Sequence, residues 1–183
     1  MQFRPTPLKG SFLIDLDPQH DNRGFFSRLF CTEEFKKNEL EPHILQLNDS
    51  YSIQKGTLRG LHYQLYPKEE TKVIRCIQGS IYDVIVDLRK DSPTFKQWFG
   101  AVLSQKNRQM IYVPKDFAHG FLTLEDNTEI IYLVSESYSK EHERGIRWND
   151  PQFQINWPEA PKIISERDQQ HPDFTHENLI YRS

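Results

Sequence analysis

The feature that most constrains this chain is how often its sequence signals a turn. Asp21-Asn22-Arg23-Gly24, Lys55-Gly56, Gln78-Gly79, Ser92-Pro93 and Asp126-Asn127 interrupt it, and the apolar residues between them fall in short, mostly alternating runs. Gly, Pro, Asn and Asp supply the backbone conformations that end regular elements. Short strands at such spacing predict an all-β sandwich or barrel. The chain has 183 residues, which suits a single domain built on one core. It shows no repeat, low-complexity tract or linker.

Two segments predict what the strands line. In Ile81-Tyr82-Asp83-Val84-Ile85-Val86-Asp87-Leu88, one face carries Tyr82, Val84, Val86 and Leu88, and the other carries Ile81, Asp83, Ile85 and Asp87. Acids alternating with Ile predict a partly polar cavity rather than plain solvent. In Ile44 to Ser50, Gln46, Asn48 and Ser50 share a face opposite Leu45 and Leu47. Uncharged hydrogen-bonding groups suit a sugar-binding wall, though an ordinary solvated face reads the same way. One short helix is expected over 32–38, with Thr32 as its cap, Glu33 and Glu34 at its positive end, and Lys36 and Lys37 at its negative end. From Pro172 onward the chain reads as a polar tail that drapes over the surface or a partner.

Charge and composition remove several classes. A net charge of −3, from 23 basic and 26 acidic residues, argues against non-specific nucleic-acid binding. A few Arg or Lys can still meet a phosphate. No run of 18 apolar residues predicts a membrane span, and Met1 to Pro7 lacks the apolar stretch of a secretory signal. Cys31 and Cys76 form no C-x-x-C. A cytoplasmic protein with two reduced thiols is the expectation.

Chemistry-bearing residues concentrate in Gly56 to Gln64 and Tyr112 to Phe121, each with one His among apolar residues and glycines. A histidine so placed is more often a satisfied core residue than a catalyst. Strict alternation sends Arg59 and His62 to opposite faces, but Gly60 between them permits a bulge that turns both into one cavity. His62 and His119 could ligate zinc or iron, yet no H-x-H pair or regularly spaced acid accompanies them. There is no G-x-S-x-G, P-loop or G-x-G-x-x-G. A Tyr in the Thr128–Val134 strand and an Arg-Asp pair in Ser165 to Asp168 would read alone as packing and as a surface ion pair.

Taken in order, these segments resemble the dTDP-4-dehydrorhamnose 3,5-epimerase family. The match runs from about residue 12 to about residue 168. It includes Asp21 to Phe26, Gln46 to Ser50, Gly56 to Gln64, Glu70-Thr71-Lys72, Gly79 to Val84, Asp87-Leu88-Arg89 with Ser92-Pro93-Thr94, Pro114 to Phe121, Thr128-Glu129 with Tyr132, Trp148 to Pro151, and Trp157-Pro158 with Ser165 to Asp168. The resemblance implies a cupin jelly-roll barrel, a homodimer with exchanged N-terminal strands, and a nucleotide-diphosphate sugar as substrate. It implies no metal or other cofactor.

By the same resemblance, His62 corresponds to a base that removes a proton beside the C4 ketone, and Asp168 holds its imidazole. Tyr132 corresponds to the acid on the opposite face, and Lys72 to the cation near the C4 oxygen. Asp83 supports the site from behind. Arg23, Arg59 and Arg167 match positions near the diphosphate. Gln46, Asn48, His119 and Glu143 match substrate contacts, and Tyr138 the ring that stacks on the pyrimidine. Arg28 stands where the family usually carries a Glu that helps bind the nucleotide, reversing the charge at that position. Alternative readings are epimerisation at C3 only, a ketoisomerase, or a non-catalytic nucleotide-sugar binder. The last of these predicts a decayed set of His62, Lys72, Tyr132 and Asp168, whereas all four residues are present.

Overall fold

A computed structural model of the chain describes residues 1–175. Two sheets face each other, with strands numbered in chain order. The first sheet runs β1 (Gln2–Pro5), β2 (Phe12–Asp15), β10 (Met110–Val113), β7 (Lys72–Gln78), β12 (Thr128–Val134), β5 (Gln46–Ser52). The second runs β13 (Glu143–Gly145), β6 (Thr57–Gln64), β11 (Phe117–Thr123), β8 (Ser80–Asp87), β9 (Trp98–Ser104). The short β14 (Ile163–Ile164) adds to β6 in parallel. A separate hairpin joins β3 (Gln19–Asp21) to β4 (Gly24–Phe26), and the helices are α1 (Thr32–Lys37) and α2 (Glu166–Gln169). This is the all-β, cupin-type jelly roll that the turn pattern and the family motifs predict.

Three apolar clusters hold it together. Ile74, Ile81, Ile85, Leu103, Ile111 and Ile130 meet between the sheets. Outside the first sheet, α1 lays Phe35 against Ile14, Val73, Met110 and Tyr112. Fully burying a side chain such as Phe35 is worth about 1.5–3 kcal/mol, so the short helix is held by packing rather than by its own propensity. Outside the second sheet, Leu61, Tyr63, Val84, Val86 and Ala118 pack under Ile146, Phe153 and Phe174. Strand β8 is therefore covered on both faces, with Asp83 buried among the inward residues.

Four expectations need correction. Thr32 does not cap α1: Cys31 occupies the cap position, and no side chain bonds the free amides. The acidic first turn and basic last turn are as expected. Strand β5 starts at Gln46, two residues later than its apolar pattern suggests. Asp87 lines no cavity; its carboxylate is tied to Arg89, Ser92 and Thr94 and shapes the turn after β8. The segment from Pro172 is not simply a polar drape, because Phe174 is buried in the outer cluster. From residue 176 onward the tail lies outside the described residues.

The expected irregularity at Gly60 is present. The pairing of β6 with β11 shifts register between His119 and Phe121, and Gly60 has φ +123°. A Cβ at Gly60 would sit 2.6 Å from the Gly120 Cα, so backbone passes against backbone where only glycine fits. Gly60→Ala should lower unfolding free energy by about 2 kcal/mol or more, from the strained φ and the clash together. Urea unfolding followed by far-UV circular dichroism checks this; a variant as stable as the parent would refute it.

Candidate active site

The bulge at Gly60 brings Arg59 and His62 to one cavity of about 470 Å³, within the range of small-molecule sites. Its walls come from both sheets. Strand β6 supplies Arg59 and His62 and β11 supplies His119, while β7 supplies Lys72, β12 supplies Tyr132 and β5 supplies Ser50. Arg167 and Asp168 close one side from α2.

His62 Nε2 lies 2.8 Å from Asp168 Oδ1. An ionised carboxylate accepts only, so Nε2 carries the proton and the Nδ1 lone pair is left to act as a base. Asp168 is itself fixed at three points. Its Oδ2 accepts the Gly60 amide at 3.1 Å, its own amide donates to Ser165 Oγ at 3.1 Å, and its Oδ1 meets His62. Ser165 caps α2, so the cap that starts the helix also orients the carboxylate. Burial alone would raise the Asp168 pKa, but the neighbouring imidazoles and the Gly60 amide hold it far below the usual carboxylate range. Asp168 is therefore charged at any pH where the protein functions. Burial lowers the His62 pKa, and the hydrogen bond and charge of Asp168 oppose that only in part.

Across the cavity, Lys72 Nζ pairs with Glu70 at 3.1 Å, both side chains being only 12% exposed. Burial, and then the Glu70 charge, raise the Tyr132 pKa, which keeps the phenol protonated as a donor. Behind these residues, His119 Nε2 meets Asp83 Oδ2 at 2.8 Å, with Asp83 fully buried. Burial raises the Asp83 pKa, against the pull of His119 and Lys72.

A second cleft of about 340 Å³ adjoins the first through Arg167 and includes Tyr138 and Glu143. Glu143 is ion-paired with Arg167 and accepts from the Tyr138 hydroxyl at 2.7 Å. Arg59 is held by Ser52 Oγ and the Tyr51 carbonyl. Asn48 lies directly across from Tyr132 in the β5–β12 register, and Gln46 across from Val134, but neither is among the residues that line the cavity. Arg23 is not brought here: it sits on the two-residue turn of the β3–β4 hairpin, paired with Asp21 and highly exposed. Arg28 is tied to Glu34 at 3.4 Å and lines neither cavity.

Sequence reasoning missed Glu70, Ser165 and His171. Ser165-Glu166-Arg167-Asp168 has the S-x-x-[DE] spacing of a helix cap, which could have flagged Asp168 as ordered rather than as half of a surface ion pair. Glu70 could have been read from its i, i+2 spacing to Lys72. His171 had no local signal. The sequence weighed His62 and His119 as metal ligands and found no further ligand beside them; among the described residues the close group of three is His62, Asp168 and His171, with ligand atoms within 4.8 Å of one another. An ion there would have to break the bond between His62 and Asp168.

A barrel cavity in which a carboxylate-held imidazole from one sheet shares the space with a phenol and a lysine from the other fits a proton-transfer isomerase of the cupin class. The sequence profile of the dTDP-4-dehydrorhamnose 3,5-epimerase family matches residues 5–176, and the chain belongs to that family. It is 46% identical over 155 residues to the epimerase of Sinorhizobium fredii, covering 84% of this chain and 80% of that protein. The crystal structure of the Bacillus anthracis epimerase with TDP and pyrophosphate bound superposes with a TM-score of 0.91 at 44% identity, covering 94% of this chain and 99% of that one. The Legionella pneumophila epimerase in complex with dTDP-4-keto-L-rhamnose gives 0.91 at 34% identity, covering 100% and 99%. The chain is accordingly an epimerase of the 4-keto-6-deoxy nucleotide-sugar type.

Asp168→Asn should reduce turnover by about 10²- to 10⁴-fold at every pH, because it removes the charge that steadies the imidazolium and orients its ring. In the parent protein His62 must be neutral to accept a proton. Its lowered pKa keeps it so below the ordinary imidazole value of about 6.5, and the acidic limb of kcat/KM should fall there. A limb well above that value would contradict the burial argument.

Proposed function

We propose that His62 removes the proton from a carbon next to the C4 ketone and that Tyr132 returns one to the opposite face. The supporting observation is placement: His62 stands on the second sheet and Tyr132 on the first, and both line one cavity. A ketone acidifies the C–H bonds on either side of it. His62 Nδ1 takes one such proton, and the electron pair moves into the ring as an enolate whose charge gathers on the C4 oxygen. Lys72 supplies positive charge to that oxygen, where it is worth most in the transition state. The enolate carbon is planar, so a proton delivered by the Tyr132 hydroxyl from the other wall inverts the centre. His62 and Tyr132 then exchange protons with solvent to restore the resting state. C3 and C5 flank the same carbonyl, so one base and one acid can serve both in turn.

The rest of the assignment follows the shape of the two clefts. Arg59 and Arg167 offer forked donors to the diphosphate. Tyr138, beside Glu143 in the adjoining cleft, offers a ring for the pyrimidine of a thymidine diphosphate sugar. His119, Glu143, Asn48 and Gln46 meet the sugar and its surroundings. Arg23 can take its part only from a neighbouring subunit, since its own fold carries it away. A homodimer with exchanged N-terminal strands would do this and would cover Phe26, Leu47 and Ile53, which are 72%, 65% and 69% exposed. The buried Cys76 thiol is pushed up to about 11 by desolvation, an inert thiol that suits the cytoplasm. No helix among the described residues is long and apolar enough to cross a membrane.

The test is proton exchange in deuterated water, with dTDP-4-keto-6-deoxyglucose and related nucleotide sugars. Two incorporated deuterons indicate both centres and one indicates a single centre. His62→Ala should abolish exchange while leaving nucleotide affinity within a few fold. Tyr132→Phe should retain exchange but slow inversion by about 10²-fold or more. Unaltered turnover in His62→Ala would remove that residue from the mechanism. Exhaustive chelation should leave the rate unchanged, and a loss restored by added metal would overturn the proposed role of Lys72.

A further inference from the structure

The His62–Asp168 dyad has a third member that no part of the mechanism above uses. His171 Nε2 lies 3.4 Å from Asp168 Oδ1, the same oxygen that meets His62. The two imidazoles stand edge to face with centroids 5.5 Å apart. The His171 side chain is only 11% exposed.

The fold builds this position deliberately on three sides. Gly145 lies opposite His62 in the β13–β6 register, and a Cβ there would come within 2.2 Å of the His171 ring. Gly145 has no left-handed φ to explain it, so its role is to leave space. On the chain side, α2 ends just before His171. Just after it, the Pro172 carbonyl accepts the Arg147 amide at 3.2 Å, and Phe174 is locked in the outer core. The ring is clamped between two anchored points.

We propose that His171 is a positioning residue that shares the Asp168 carboxylate with His62 and thereby sets the pH range in which His62 serves as a base. This rests on the reading of His62 as the base. A neutral His171 draws part of the Asp168 charge away from His62, and a protonated one repels the imidazolium directly. Its ring also keeps water from His62. All three effects act in one direction, disfavouring charge on His62, and the coulombic influence of His171 on His62 has that sign. The other charged or titratable groups around His62 are Arg59 on its own strand, His119 on β11, Lys72 on β7, Tyr132 on β12, Glu143 on β13 and Arg167 on α2. None of these shares the Asp168 oxygen that His62 uses.

The experiment compares the parent with His171→Phe, which keeps a buried ring but no nitrogen, and with His171→Gln, which can still donate to Asp168. Two readouts are taken: the His62 imidazole titration by NMR without substrate, and the pH profile of kcat/KM. His171→Phe should raise both the His62 midpoint and the acidic limb by about 0.5–1 pH unit, with His171→Gln between it and the parent. Gly145→Ala, which takes the ring's space and removes no titratable group, should shift both in the same direction. A folded His171→Phe whose His62 titration is unmoved, or whose activity falls equally at every pH, overturns the proposal. A shifted titration with an unshifted kinetic limb would instead show that His171 tunes His62 but that His62 is not the base.

Discussion

The site depends on one carboxylate. Asp168 arrives from the end of the described chain and grips β6 at two points, the Gly60 amide and the His62 ring, across 108 and 106 residues of sequence. Both contacts need the bulge. In a regular strand, Gly60 and His62 would share a face, but the Gly60 amide would be spent on the ladder to β11. The register shift frees it, and the carboxylate replaces the lost partner. A buried anion is tolerable only when its oxygens are met, and Asp168 is met by the Gly60 amide and the His62 imidazole, with His171 Nε2 3.4 Å away but not hydrogen-bonded. The same contacts that repay its burial hold the base in one tautomer.

The interior shows what this arrangement costs. Asp83 and His119 sit inside the barrel beside Ile81, Ile85 and Phe121, and Asp83 Oδ1 has no hydrogen-bond partner. An apolar pair of equal volume would be expected to hold the sheets together at least as well. The place of Asp83 behind the wall sets it near His119 and Lys72, whose pull opposes the upward shift that burial imposes on it. Lys72 is paired with Glu70 at its side, both side chains being largely buried. Burial of Glu143 would raise its pKa, yet its bonds to Arg167 and Tyr138 hold it below the usual range. Arg167 is in turn committed along the seam of the two clefts. Binding a diphosphate there means exchanging one anion for another, so affinity is a difference between two strong pairings rather than the whole of one.

Much of this was legible in the sequence, for identifiable reasons. The two faces of β8 could be read because a period of two needs only neighbours in sequence. The bulge could be read because a glycine between two functional residues has few other uses. The helix 32–37 could be read from its end charges, but its cap could not, since α1 is held by Phe35 against the first sheet. The end of the chain was opaque. Phe174 looks like one aromatic in a polar tail, and only the fold shows that β8 needs cover on its outer face. His171 was invisible for a related reason: its space is made by Gly145, 26 positions away, and nothing local announces that. Arg23 failed in a different way. Its motif is intact, but the chain turns the hairpin outward, away from both clefts, and no local pattern predicts that direction.

Inversion, finally, can be traced to the two-sheet plan itself. Tyr132 and Lys72 hang from neighbouring strands, β12 and β7, whose register puts Tyr132 opposite Ile74, one inward position along from Lys72. Their mutual spacing is fixed by a ladder of backbone hydrogen bonds. His62 hangs from β6 in the other sheet, which meets the first through side-chain packing in the core and through the bonds of Arg59 to β5. Spacing within a sheet is therefore rigid, while spacing between sheets depends on how well Ile74, Ile81, Ile85 and Ile130 fill the gap. In the proposed mechanism, proton removal needs only His62 and a cation near the carbonyl oxygen. Delivery to the opposite face needs both walls in register with one ring between them. Loosening the inter-sheet core should therefore erode inversion before it erodes exchange, and the stereochemical outcome is a property of the packed barrel rather than of any single residue within it.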